Sequence, residues 1–80
     1  MNLEIISPGE KLYDGKVKFV KVPGTMGSFA ILRNHAPIIS TLEKGSIKII
    51  SQDNKTSYVD IAGGIIEVNR NKIVVLADIV

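Results

Sequence analysis

Apolar and polar positions alternate along this chain in short runs, and each run stops at a pair of turn residues. Asn2 to Ser7 sets Leu3 and Ile5 against Glu4 and ends at Pro8-Gly9, which reads as a strand closed by a turn. Residues 10 to 14 form a second extended piece, and Asp14-Gly15 after it is a pair that favours a two-residue hairpin turn. In Lys16 to Val22, Val17 and Phe19 share one face while Val20 and Val22 share the other. That one-residue slip of phase predicts a β-bulge near Phe19-Val20.

Pro23-Gly24 ends that run, and Gly27 permits a further reversal before a short strand from Ser28 to Leu32. Arg33-Asn34 turns the chain with Asn34 as a left-handed residue, and His35-Ala36-Pro37 leads into Ile38 to Glu43. Pro37 cannot donate to a ladder, so it belongs at a strand start or on a sheet edge. After Lys44-Gly45, Ser46 to Gln52 is apolar at Ile47 and Ile49, and Asp53-Asn54-Lys55 makes a polar hairpin tip. Thr56 to Ala62 alternates again, Gly63-Gly64 interrupts it, and Ile65 to Val68 continues, which predicts one bent strand. Asn69-Arg70-Asn71 turns once more before a last strand from Lys72 to Val80. Turn signals thus recur every 6 to 11 residues or so, the spacing of a sandwich or barrel, and no window carries helical periodicity with caps. The expected class is all-β, in a single domain over residues 1–80.

Composition sharpens this picture. Apolar residues make up 45% of the chain and mean hydropathy is +0.23, so the chain has the means to bury a core. Aromatics supply only 5% and tryptophan is absent, so that core is aliphatic and rich in β-branched side chains. Net charge is +2 despite a cluster of Lys11, Lys16, Lys18 and Lys21, too weak a footprint for a nucleic-acid binder that also lacks a stacking platform. With no cysteine, disulfide frameworks and thiolate-ligated metals are excluded. No apolar run is long enough to span a bilayer, and the first residues carry no export signal.

His35, the only histidine, invites a general acid–base reading. Ser28, Ser40 and Glu43 lie near it in sequence, but none sits on a nucleophile elbow, and a histidine in a tight corner commonly bonds a neighbouring carbonyl. No catalytic residue is therefore assigned. One histidine among scattered carboxylates makes no metal-ligand cluster. Gly24-Thr25-Met26-Gly27 lacks the Lys-Ser/Thr ending of a phosphate loop and precedes a strand, and no helix follows Gly63-Gly64, so no cofactor site is expected. Met26 and Phe29 near a loop tip are candidates for protein contact, with Phe29 the more natural core residue.

Four stretches together carry a resemblance. They are Gly24 to Pro37 with its Asn-His-Ala-Pro corner, Lys44-Gly45-Ser46-Ile47-Lys48-Ile49, Ala62 to Val68, and Val75-Leu76-Ala77-Asp78. In this order and register the chain resembles the N-terminal domain of the epsilon subunit of F-type ATP synthases. The resemblance implies a flattened sandwich of about ten short, mostly antiparallel strands stacked over one core. It also implies a non-catalytic place in the rotor's central stalk, gripping the gamma subunit on one side and resting on the polar loops of the membrane c-ring. By position, Met26, Gly27 and Ser28 would meet the c-ring, and Ser7, His35, Ser40 and Leu42 would face gamma. The location implied is peripheral, at the cytoplasmic face of a bacterial inner membrane.

The chain departs from the family pattern in three places. Ser28 stands where many relatives have a glutamate, which removes one charge available to the ring. Asn34 replaces the corner glycine, a swap that a left-handed position tolerates. Many relatives continue past the equivalent of Val80 into a two-helix domain that inhibits ATP hydrolysis and in some members binds ATP; a chain complete at Val80 should lack both properties. Two rival readings are a free-standing β-sandwich module for a ligand or peptide, and a minimal hydrolase built on His35.

Overall fold

A computed structural model describes residues 1–80, and every regular element in it is a strand. They are β1 (Asn2–Ser7), β2 (Glu10–Val22), β3 (Phe29–Leu32), β4 (Ile38–Leu42), β5 (Gly45–Ser51), β6 (Thr56–Asn69) and β7 (Lys72–Ile79). The all-β expectation holds, with seven strands in place of about ten. Part of the difference lies in β2, which at 13 residues runs through Asp14-Gly15 where the sequence suggests two pieces, whereas β6, at 14 residues, is the one bent strand expected there.

Those two long strands define the architecture. The first half of β2 pairs antiparallel with β1, and its second half pairs with β3 on one edge and β5 on the other. The first half of β6 pairs with β5 and its second half with β4, while β7 lies along the opposite edge. A parallel β1–β7 pairing then closes the ring β1-β7-β6-β5-β2. The sheet is thus continuous, folded into two layers where β2 and β6 cross from one to the other. Its principal extents of 27 × 23 × 19 Å fit a flattened barrel.

The alternating pattern sends one side chain in two to a single aliphatic core. Leu3, Ile5, Ile66, Val68, Ile73 and Val75 come from one layer and Val17, Val20, Val22, Ile31, Ile47 and Ile49 from the other. Each is almost fully buried, and at about 25 cal/mol per Å² of apolar area such side chains supply most of the drive to fold. Met1, Leu12, Tyr13, Phe29, Ile38 and Val59 pack around them half-buried, so Phe29 does serve the core.

Two local expectations are corrected. Asp14-Gly15 makes no hairpin; both residues lie within β2, with Glu4 opposite Asp14 and Leu3 opposite Gly15. The hairpin falls at Pro8-Gly9, where Ser7 faces Glu10. Pairing with β1 on both flanks of Asp14-Gly15 outweighs a turn preference worth only tenths of a kcal/mol to about 1. The bulge in β2 also lies slightly earlier than expected, with the β2–β5 register slipping between Val17 and Phe19, at Lys18. Elsewhere the turns hold: Asn34, Asn54 and Arg70 adopt left-handed φ of 66°, 67° and 58°, each at a turn read from the sequence. Pro37 sits just before β4, whose one strand partner is β6 and whose other edge carries only a bridge from Gly24 at its far end.

In β6 the buried positions change phase, from Ile61 and Gly63 to Ile66 and Val68. The β6–β7 register slips between Ile61 and Gly63. Gly64 is the pivot. A Cβ there would stand 2.3 Å from the Leu76 carbonyl oxygen and 3.1 Å from the Ala77 Cα, and both are backbone atoms. No residue with a side chain fits that approach without parting β6 from β7.

Candidate functional site

The stretch from Pro23 to Leu42 forms a ledge along one edge of the barrel. Its lower part is the loop Pro23–Ser28 between β2 and β3, which is stapled to the end of β4. The Thr25 amide donates to the Thr41 carbonyl (3.1 Å), the Glu43 amide donates to the Pro23 carbonyl (2.8 Å), and Gly24 bridges Leu42. The Thr25 and Thr41 hydroxyls share a hydrogen bond of 2.7 Å. Within the loop, the Gly27 amide donates to the Gly24 carbonyl (3.0 Å). A Cβ on Gly24 would lie 2.6 Å from the Gly27 carbonyl oxygen and 2.7 Å from the Phe29 ring, so the ring seals the inside of the turn. The outcome is a fixed protrusion. Met26 is 98% exposed at its tip, flanked by exposed Gly27 and Ser28. That thioether makes almost no contact within the fold that displays it.

The upper part of the ledge is the Arg33–Pro37 corner. The His35 amide donates to the Leu32 carbonyl (3.1 Å), and Asn34 takes the left-handed conformation that lets the chain turn. His35 Nδ1 lies 2.7 Å from the Ala36 carbonyl oxygen, so as a donor it braces its own corner. Ser40 Oγ donates to the Thr41 carbonyl (3.3 Å), and neither Ser28, Ser40 nor Glu43 hydrogen-bonds the imidazole. The chemistry available here is that of a shaped surface, with no nucleophile coupled to a base.

Of the four residues that the resemblance places toward gamma, Ser7, Ser40 and Leu42 lie in the layer β4-β6-β7-β1 and His35 in the corner that leads into it, with different accessibilities. His35 and Ser40 are half-buried on the β4 edge. Leu42 is only 5% exposed and belongs to the core. Ser7 is 2% exposed, with its hydroxyl donating to the Glu10 carbonyl (3.4 Å). At these last two positions a partner could meet backbone or neighbours but not the named side chain. What the layer does present outward is apolar. Ile6 faces Leu76, Leu76 faces Ile65, and Ile65 faces Thr41 across successive strands, with Ile39 further along β4. Ile39, Ile65 and Leu76 are 72%, 47% and 55% exposed. Sequence reasoning missed this row, because Ile65-Ile66 and Val75-Leu76 read as continuous apolar runs. Only the phase change at Gly64 shows which member of each pair points outward.

All 80 residues match the model of the ATP synthase delta/epsilon chain β-sandwich domain. The chain belongs to that family. It is 37% identical over 78 residues to the ATP synthase epsilon chain of Bordetella parapertussis, which covers 98% of this chain and 56% of the relative. The epsilon chain of Bordetella avium is 36% identical over the same length and is covered to 55%. The chain thus spans just over half the length of these curated relatives. Among solved structures, a chain of the Euglena gracilis mitochondrial ATP synthase (OSCP/F1/c-ring) superposes with a TM-score of 0.85 at 18% identity, covering 94% of this chain and 48% of that one. A chain of the Tetrahymena thermophila mitochondrial ATP synthase central stalk and c-ring gives 0.78, also at 18%, covering 98% and 63%. At such identity the two structures attest the fold, and the epsilon-family sandwich is the fold described above.

Proposed function

We propose that this epsilon-family domain is a non-catalytic central-stalk subunit of a proton-translocating F-type ATP synthase. It docks the gamma subunit onto the c-ring and so helps couple rotation to ATP synthesis. The observation that carries the reading is the rigid, fully exposed Met26-Gly27-Ser28 loop on a chain that matches the epsilon family from end to end. The loop presents an apolar tip to the ring. The exposed row Ile39, Ile65 and Leu76 supplies an apolar surface for gamma. The domain is peripheral, held at the cytoplasmic face of a bacterial inner membrane through the complex alone. Similar folds in mitochondrial ATP synthase assemblies that include the c-ring support a place in such a complex, and the Bordetella relatives support a bacterial one.

The test separates the two faces. Co-expressed with the gamma subunit of the same source, the chain should co-purify with it, and Leu76→Glu should lose that capture. Met26→Glu should retain capture while ATP-driven proton pumping by the assembled synthase falls. Absence of gamma binding by the unaltered chain would refute the stalk reading; full pumping with Met26→Glu would refute the loop as the ring contact.

A further inference from the structure

The lysine cluster of β2 is divided by the fold, and one part of it builds a concave site. Lys11 turns to Glu4 (3.0 Å) and Asp14 (3.2 Å), and the remaining ion pair of the chain is Lys55–Asp53 (3.8 Å). Lys16 and Lys18 have no carboxylate partner. They flank buried Val17 and therefore project outward, and beyond the bulge at Lys18 its ammonium donates to the Asn54 side-chain oxygen, a neutral partner that leaves its charge unbalanced. Phe19 pairs with Leu32, so the next residue of the β3–β4 turn, Arg33, falls beside Lys18. Lys16, Lys18 and Arg33 line one groove of about 450 Å³ together with Asn2, Gln52 and Asn71.

Backbone bonds tie its walls together. The Asn2 amide donates to the Asn71 carbonyl (2.8 Å), the Val17 amide to Met1 (2.8 Å), and the Gln52 amide to Lys16 (3.1 Å). No carboxylate lines the groove. Asp53, next to Gln52, is engaged by Ser51 and Lys55. Three cations gathered without a counter-charge repel one another, and a polyvalent anion would relieve that repulsion while accepting hydrogen bonds from the amide side chains.

We propose that this groove binds a small soluble phosphate-bearing anion of about pyrophosphate size. Its concavity suits a ligand that enters, in contrast to a flat lipid surface, and its volume exceeds that of a single tetrahedral oxyanion. The inference stands apart from the stalk reading, since it uses none of the residues assigned to gamma or the c-ring.

The experiment is a titration of the isotopically labelled 80-residue chain with sodium pyrophosphate at low ionic strength, followed by amide shifts in NMR spectra. Saturable shifts should centre on Lys16, Lys18, Arg33, Gln52 and Asn71. The double variant Lys18→Gln/Arg33→Gln should bind about tenfold more weakly or worse, the loss expected for removing charge-assisted hydrogen bonds. Lys44→Gln, away from the groove, should bind as the unaltered chain does. All substituted side chains are exposed, so thermal midpoints should be unchanged; if the double variant loses its fold, Arg33→Gln alone carries the comparison. Three results would overturn the proposal. One is shifts no larger or more localised than those from sulfate at matched ionic strength. Another is unchanged affinity in the folded variant. The third is binding to phosphatidylglycerol vesicles with none to pyrophosphate, which would assign the cations to a lipid surface.

Discussion

Replacing Gly64 with alanine tests whether the barrel turns where the structure places its pivot. The new methyl carbon would stand 2.3 Å from the Leu76 carbonyl oxygen, far inside van der Waals contact, and the opposing atoms belong to a paired strand that cannot rotate away. Forcing a carbon into a filled site costs about 1–3 kcal/mol. Holding a non-glycine residue at a φ of 156° adds about 1–3 kcal/mol. The expected loss is therefore about 2–6 kcal/mol, against a total of about 4–12 kcal/mol for a chain of this length. Thermal unfolding followed by circular dichroism should show a midpoint lower by about 8 °C or more. Gly15→Ala is the matched control. Its methyl would meet only the Tyr13 ring at an ordinary 3.6 Å, with no left-handed φ, so its stability should stay within about 1 kcal/mol of the parent. If Gly64→Ala unfolds within about 1 kcal/mol of the parent as well, the close approach of β6 to β7 is not where the chain bends.

Three further outcomes follow, from the core, from the outer face of the sheet and from one exposed cation. Ile31, fully buried between the layers, should lose about 2–5 kcal/mol on change to alanine, whereas Ile39→Ala on the outer face should stay within about 0.5 kcal/mol while weakening gamma capture; urea unfolding reads the first pair and co-purification the last. The hydrogen bond to Glu4, then that to Asp14, raises the Lys11 pKa above its ordinary 10.5. The folded value exceeds the unfolded one, so this small stabilisation is fully present below the unfolded pKa and vanishes as pH rises through the folded one. Urea midpoints of the parent and of Lys11→Met should differ at neutral pH and converge above that range.

Much of the fold is legible because the chain's alternation is tied to its turns. Asn34, Asn54 and Arg70 stand in left-handed turns that the sequence marks with Asn or Asn-flanked triplets. Asp14-Gly15 misleads because a local turn preference is blind to β1, which arrives from eight or more residues away to pair across it. The two pieces suggested for β2 merge for the same reason, and β6 is one bent strand as its sequence predicts: a glycine or bulge bends a strand as readily as it ends one. The candidate site is legible as a stretch but not as a surface. Met26 is read correctly as a loop tip, whereas Ser7 and Leu42, placed by resemblance, turn inward because β1 and β4 put them on the core side of the sheet. The groove of Lys16, Lys18 and Arg33 needs the β2–β3 register, which no sequence window contains.

The parallel β1–β7 pairing has a consequence for how this domain comes into being. Asn2 lies beside Lys72 and Ile6 beside Leu76, so the domain's first strand finds one of its two partners only in its last. Until then β1 can form its hairpin with β2, but the ring stays open, with the waiting edges of β1 and β6 both uncovered. Closing a circuit of nearly the whole chain makes folding dominated by distant pairings, and slow for its size. On the ribosome, the nascent domain therefore reaches its stable state only after release of its final strand, and during that interval its bare edges are open to strands of other chains.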